Sequence, residues 1–237
     1  MKKAKFFIKD TLNKIMEIDV KQKVLEEMRN PDIYIKGVVD YIEKHVKYVI
    51  GVACAENLDI NTWKPDDDFG IQIGQKTVFL TARMFDLWED AVVKVLTKRL
   101  KRFGVRVEHN HTPHADLVIT FPNKEKIFWE IKSSQAKNGW TGATHSSSKT
   151  SNYILINYSV DRSKKLNLED NPKFITRLCV LVWDDMDAKW SGKPTSRNSF
   201  TSLKIPKDIK EKRPEIIVVG DLIPKQKWCD IERKKLN

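Results

Sequence analysis

Beyond Gly104 the chain breaks into short apolar segments: Val105–Glu108, Ala115–Phe121, Ile127–Lys132, Tyr153–Tyr158, Leu178–Trp183 and Ile216–Val219. Runs of this length between turn residues read as strands. Directly before them, Met84–Phe103 repeats its apolar residues at helical spacing and stops at Gly104. A helix followed by strands of mixed direction must bury both sheet faces, so the expected class is α/β, a central mixed β-sheet flanked by helices.

The N-terminal part reads as helical to about residue 57. From Thr11 to Met28, Leu12, Ile15, Met16, Ile18, Val20, Val24 and Leu25 recur near a 3.6 period, and Val38–Ile50 repeats the theme. Asn30-Pro31-Asp32 punctuates between them. Gly70–Leu80 reads as a short hairpin, and Asp184–Arg213 as a long polar excursion off the sheet. The expected organisation is a mainly helical part, 1–80, packed on a core formed by 81–237.

Charge narrows the partner. Lys and Arg number 43 against 32 acids, a net charge of +11, which suits a polyanion, nucleic acid before a membrane surface. No apolar run is long enough for a membrane span, and Phe6-Phe7-Ile8 behind Lys2-Lys3 is too short for a signal peptide. The expectation is a cytoplasmic protein with access to the nucleoid. Cys54, Cys179 and Cys229 are scattered and lack CxxC spacing, which disfavours a disulfide framework or a cysteine zinc site.

The chemistry concentrates around Pro122-Asn123. In the preceding strand Asp116, Val118 and Thr120 share a face; in the following one Lys126, Phe128, Glu130 and Lys132 do, because strand side chains alternate. Glu130 and Lys132 then lie about 6–7 Å apart along one side. Antiparallel pairing through a turn at 122–124 sets Asp116 opposite Glu130 only if paired residue numbers sum to an even value. Pairing Phe121 with Lys126 would turn Asp116 to the wrong face. Two carboxylates and an ammonium at one point suit a hard dication: Mg²⁺ takes oxygen ligands, often one or two carboxylates, and completes its shell with water and phosphate. A lysine beside it can orient a water. On the helix, Phe85, Val92, Leu96, Leu100 and Phe103 form one apolar face with Glu89 in its midst. A carboxylate there needs a partner or a metal; Arg99 is the partner candidate on the same face.

Asp116 followed by Glu130-Ile131-Lys132 on consecutive strands after a helix resembles the PD-(D/E)xK nuclease superfamily, type II restriction endonucleases in particular. The resemblance spans roughly Met84 to Tyr158; the signature's proline position before the aspartate is Ala115 here, with Pro113 upstream. It implies a Mg²⁺-dependent endonuclease cutting double-stranded DNA at a short specific sequence to 5′-phosphate and 3′-hydroxyl ends. Asp116, Glu130 and the intervening Ile131 would be metal-binding, Lys132 would position the attacking water, and Glu89 would support the metal or its waters. It further implies a homodimer and a cognate DNA methyltransferase in the same system. The alternatives are a repair or junction-resolving nuclease of the same superfamily and a non-catalytic DNA-binding module.

From Ile131 to Val160 the chain carries no Asp or Glu, so nothing there repels a polyanion. Hydroxyls, amides and cations fill it, and Gln135, Lys137, Asn138, Trp140, Thr141, Thr144, His145, Ser146 and Lys149 are the expected DNA contacts; an ordinary polar loop has the same composition. The run Lys94, Lys98, Arg99, Lys101 and Arg102 either meets phosphates or complements the helix dipole. Trp190, Lys193, Thr195, Arg197 and Asn198 are further candidates for a groove. His109, His111 and His114 lack the Cys or HExxH context of a zinc site, and Asp184, Asp185 and Asp187 read as a solvated strand end.

Overall fold

The computed structural model describes residues 19–45, 70–73, 76–79, 84–112, 115–134, 140–142, 152–160, 175–186, 189–191, 201–206, 208–223, 227–229 and 231–232. Two helices open it, α1 (19–28) and α2 (31–45), with Asn30-Pro31 at the break. Proline fits a helix's first turn, where its missing N–H has no intrahelical partner. Asn30 Oδ1 caps the turn by accepting the Asp32 N–H at 3.0 Å. The second helix starts seven residues earlier than its sequence period suggests, because Ile33–Val38 is a π-helical stretch. There Ile33 and Val38, and Tyr34 and Val39, are buried at intervals of five, which the wider π turn stacks on one side and a 3.6 period does not. Residues 11–18 and 46–50 of the expected helices lie outside the described residues.

A short hairpin follows, β1 (Gly70–Ile73) and β2 (Lys76–Phe79), as expected from Gly70–Leu80. Helix α3 (Met84–Leu100) runs into a 3₁₀ turn, Lys101–Phe103, and ends at Gly104 with φ of 72°, a left-handed conformation that glycine adopts without strain. Val92, Leu96 and Leu100 are fully buried on the expected face, but so are Trp88 and Ala91. The buried arc is wider than that face because α2 also packs on α3. The contact is close: a Cβ on Gly37 would stand 2.7 Å from Val95 Cγ1. Gly37→Ala therefore destabilises the fold, overpacking at about 1–3 kcal/mol outweighing at most about 1 kcal/mol of helix propensity. Urea denaturation checks it: Gly37→Ala lowers the midpoint and a second change, Val95→Ala, recovers part of it. An unchanged midpoint would contradict the contact.

The strands are β3 (Arg106–Thr112), β4 (Ala115–Thr120), β5 (Lys126–Ser134), β6 (Thr141–Gly142), β7 (Tyr153–Val160), β8 (Ile175–Trp183), β9 (Lys189–Ser191) and β10 (Thr201–Lys204). Helix α4 (Ile209–Lys212) precedes β11 (Ile217–Val219), β12 (Asp221–Ile223), β13 (Lys227–Cys229) and β14 (Ile231–Glu232). Six of them make the main sheet in the order β11-β8-β7-β5-β4-β3, with β14 also on β8. Among the described strands of this sheet only β5 and β7 run parallel; β3–β4, β4–β5, β7–β8, β8–β11 and β8–β14 are antiparallel. This is the mixed sheet of an α/β fold. The expected polar excursion after Asp184 is partly structured: β10 pairs with both β6 and β9, and Leu203, Ile205 and Ile209 are buried.

Alternation sorts the sheet's side chains into two cores. Leu117, Ile119, Trp129, Ile131, Ile154, Ile156, Val180 and Val182 join α1, α2 and α3 on one face. On the other, Tyr153, Leu155, Leu181 and Trp183 pack with Trp140, Leu203, Ile205, Ile209 and Ile216. The N-terminal helices thus share a core with the sheet. Asp184 is no solvated strand end: its Oδ1 accepts from Arg29 Nη2 at 2.5 Å and Arg213 Nη2 at 2.6 Å. It ties α1 and the segment after α4 to the end of β8. Asp187 lies outside the described residues. Among the described residues no helix is long and apolar enough to cross a membrane.

Candidate active site

The β4–β5 hairpin sets the site's geometry. Lys124 takes φ of 70°, Lys124 N–H donates to Phe121 O at 2.8 Å and Phe121 N–H to Glu125 O at 2.9 Å. This turn puts Thr120 opposite Lys126 and Leu117 opposite Trp129, so paired numbers sum to an even value. Asp116 and Glu130 are the next step along and project from the same face as Lys132.

Beyond Leu117–Trp129 the two strands part. The Ile131 N–H donates to Asp116 Oδ2 at 2.7 Å, and Ala115 O accepts from Asn110 Nδ2 at 3.0 Å. Side chains thus satisfy the main-chain groups that a continued ladder would pair. From Glu130 onward β5 pairs with β7 on its other side. The result is a notch, with Asp116 on one wall and Glu130 and Lys132 on the other. Lys132 Nζ lies 3.7 Å from Asp116 Oδ2 and is ion-paired with Glu130 Oε1. Asp116 and Lys132 side chains are 20% and 21% exposed, so solvent reaches both, while Glu130 is buried.

Burial by itself would lower the Lys132 pKa. The charges of Asp116 and Glu130, the hydrogen bond to Glu130 and the charge of Glu89 outweigh it and hold the ammonium above the ordinary lysine value. Glu89 is therefore within electrostatic reach of Lys132, although it comes from α3, on the opposite face of the sheet. Its partner is His109 on β3, with Nε2 and Glu89 Oε2 3.8 Å apart, rather than Arg99, which is exposed. The sequence does carry that signal: His109 shares its strand parity with Val107, the side that faces α3.

Two carboxylates at one ammonium leave the locus short of positive charge in a protein that is otherwise strongly basic. Among the described residues no three His, Cys, Asp or Glu side chains gather into a cage for a metal ion. What the notch offers is a pair of carboxylates bridged by Lys132, the type of donor Mg²⁺ uses when water and phosphate complete its shell. Ile131 has its side chain in the core, so it can serve a metal only through its main chain.

The expected DNA contacts fare unevenly. Trp140 is 1% exposed in the second core and its Nε1 donates to Ile156 O at 2.9 Å; its side chain packs and does not reach a ligand. Thr141 lies in β6. Gln135, Lys137, Asn138, Thr144, His145, Ser146 and Lys149 lie outside the described residues, as do Lys193, Thr195, Arg197, Asn198 and His114. In the basic run Lys94 bonds Asp90 and Tyr41 and Arg102 bonds Glu27, so these two hold the helices together. Lys98, Arg99 and Lys101 are exposed. The chain matches no protein-family model, and no curated protein matches it in sequence.

Proposed function

We propose that this chain is a Mg²⁺-dependent endonuclease of the PD-(D/E)xK kind, similar to type II restriction enzymes. The observation that carries the reading is the Lys132 ammonium held between Asp116 and Glu130, with Glu89 in reach, where β4 and β5 part. Two carboxylates, Asp116 and Glu130, share one ammonium in a solvent-accessible notch, and the negative charge left over there suits a dication.

Asp116, through the Oδ1 oxygen that Ile131 and Lys132 do not hold, and Glu130 would bind the ion, with the Ile131 carbonyl beside them. Bound there, Mg²⁺ would offset charge on the phosphate and acidify a coordinated water. Lys132 would then leave Glu130 and donate to the phosphate or to the attacking water, fixing its approach. Attack of the water oxygen on phosphorus would form the new P–O bond and break the P–O3′ bond, leaving a 5′-phosphate; the water's proton would pass to solvent and the 3′-oxygen would take one from it. His109 would steady Glu89 so that its carboxylate faces the site's outer waters. Two copies acting on a palindrome would cut both strands.

Incubating supercoiled plasmid with the purified chain and Mg²⁺, with an EDTA control, tests the reading on a gel. Discrete fragments with 5′-phosphate ends are expected. Cleavage of branched or damaged DNA alone would favour a repair or junction-resolving nuclease, and binding without cutting a non-catalytic module.

A further inference from the structure

Where α3 ends, the chain returns to the sheet beside the β4–β5 turn. A Cβ on Gly104 would stand 3.7 Å from Pro122 Cγ, and Arg106, Thr120 and Lys126 share one rung of the register. The segments 98–106 and 120–126 thus form one end of the molecule. The first carries Lys98, Arg99, Lys101, Arg102 and Arg106, the second Lys124 and Lys126, against the single acid Glu125. Salt bridges occupy some of these charges: Glu125 with Lys21, Arg102 with Glu27, and Arg106 with Glu108. Lys98, Arg99, Lys101, Lys124 and Lys126 are exposed, and none of the five has an ion-pair partner among the described residues. Like charges gathered at one end repel one another. The dipole of α3 explains a part of them, because a helix C-terminus carries about half a negative charge, and Lys98 and Arg99 stand in its last turn. Lys124 and Lys126 belong to the hairpin, and the dipole gives no reason for them.

We propose that this end is a contact for the phosphate backbone of duplex DNA, separate from the notch, with Lys101, Lys124 and Lys126 spanning the junction of the 3₁₀ turn and the hairpin. Ammonium groups on flexible stems suit phosphates, and phosphate contacts hold a protein on the duplex without reading its sequence. A membrane surface also attracts cations, but binding there adds apolar side chains that enter the headgroup layer. At this junction the apolar residues are withdrawn: Val105 and Phe121 are buried, and the Arg102 guanidinium lies over the Phe103 ring at 4.8 Å. Lys126 precedes Glu130 by four residues, about 13 Å along β5, so backbone held here flanks the phosphate at the notch. The inference rests on the proposed function only for that last relation.

Fluorescence anisotropy of a labelled duplex with the full chain in EDTA, repeated over a series of NaCl concentrations, tests the contact. Lys101→Ala/Lys124→Ala/Lys126→Ala should flatten the slope of log affinity against log salt by about 2 to 3, and weaken binding about 10- to 100-fold at roughly 0.1 M salt. Two duplexes of unrelated sequence should show the same loss. Lys23→Ala/Lys36→Ala/Lys44→Ala removes as many exposed lysines from α1 and α2 and should change the slope by less than about 1. The residues replaced are exposed, so thermal midpoints should stay near the parent's. An unchanged slope in the first variant, an equal loss in the second, or a parent that does not bind duplex would each overturn the contact. Phosphatidylserine vesicles that release the first variant while the duplex still holds it would overturn it too. A parent with the expected slope that never cuts plasmid would sink the nuclease reading and leave the contact standing. A chain that cuts plasmid while the first variant binds duplex as the parent does would do the reverse.

Discussion

Lys132→Ala lowers the rate of Mg²⁺-dependent plasmid cleavage by about 10²–10⁴-fold, the usual loss when a group that handles the reacting water is removed. DNA affinity, measured in EDTA, stays within about twofold, because one ammonium in a recessed notch is a small part of a phosphate-binding surface. A third readout separates this role from a structural one. In the metal-free protein Lys132 is the internal counter-ion of Asp116 and Glu130. Without it the two carboxylates repel each other, and a dication relieves that repulsion. The Mg²⁺ concentration at half-maximal rate should therefore fall in Lys132→Ala even as the maximal rate collapses. Undiminished cleavage would reject the assigned role. A loss of rate accompanied by weaker Mg²⁺ dependence would indicate that the lysine merely holds the notch together.

The other large effect concerns stability. Trp88 on α3 is fully buried, its ring 4.6 Å from that of Tyr158 on β7. Trp88→Ala should destabilise the fold by about 3–5 kcal/mol, the range for removing a large aromatic from a packed core. Trp88→Phe should behave quite differently. The Trp88 Nε1 is buried without a hydrogen-bond partner, so an unsatisfied donor already offsets part of what the ring contributes. Phenylalanine removes that donor at roughly 1–3 kcal/mol in its favour while giving up some volume, and the net change should be under about 1.5 kcal/mol. Urea denaturation at neutral pH reads both variants. Equal losses would mean that the indole nitrogen does have a partner.

Much of this arrangement is legible before any coordinates. The sequence sets an even hairpin register only as the condition for Asp116 to meet Glu130; the turn that meets it, with Lys124 at positive φ, comes from the structure. Strand parity predicts that Glu130 and Lys132 share a side, and Gly104 marks the end of α3. What escapes the sequence has identifiable causes. The π-helical stretch Ile33–Val38 changes the period of the buried residues, so α2 is read as starting at Val38. Trp140 sits among polar residues and looks like a surface contact, yet long-range packing with Tyr153, Leu181 and Trp183 buries it. The strands β9 and β10 are three and four residues long, too short for periodicity to reveal. Arg29 and Arg213 reach Asp184 from distant parts of the chain, and no local pattern announces such a pairing. His109 was visible as one of three histidines, but its service to Glu89 depends on which sheet face α3 covers.

The convergence of Asp116 and Glu130 on one hard ion is tested most directly by crystals of the chain grown with Mn²⁺, which substitutes for Mg²⁺ in oxygen-ligand sites and scatters anomalously. The account predicts a single strong anomalous peak in the notch, bonded to Asp116 and Glu130, with Lys132 moved off the Glu130 carboxylate. A peak on the histidines of β3 instead, or a notch still closed by Lys132 at saturating Mn²⁺, would contradict it.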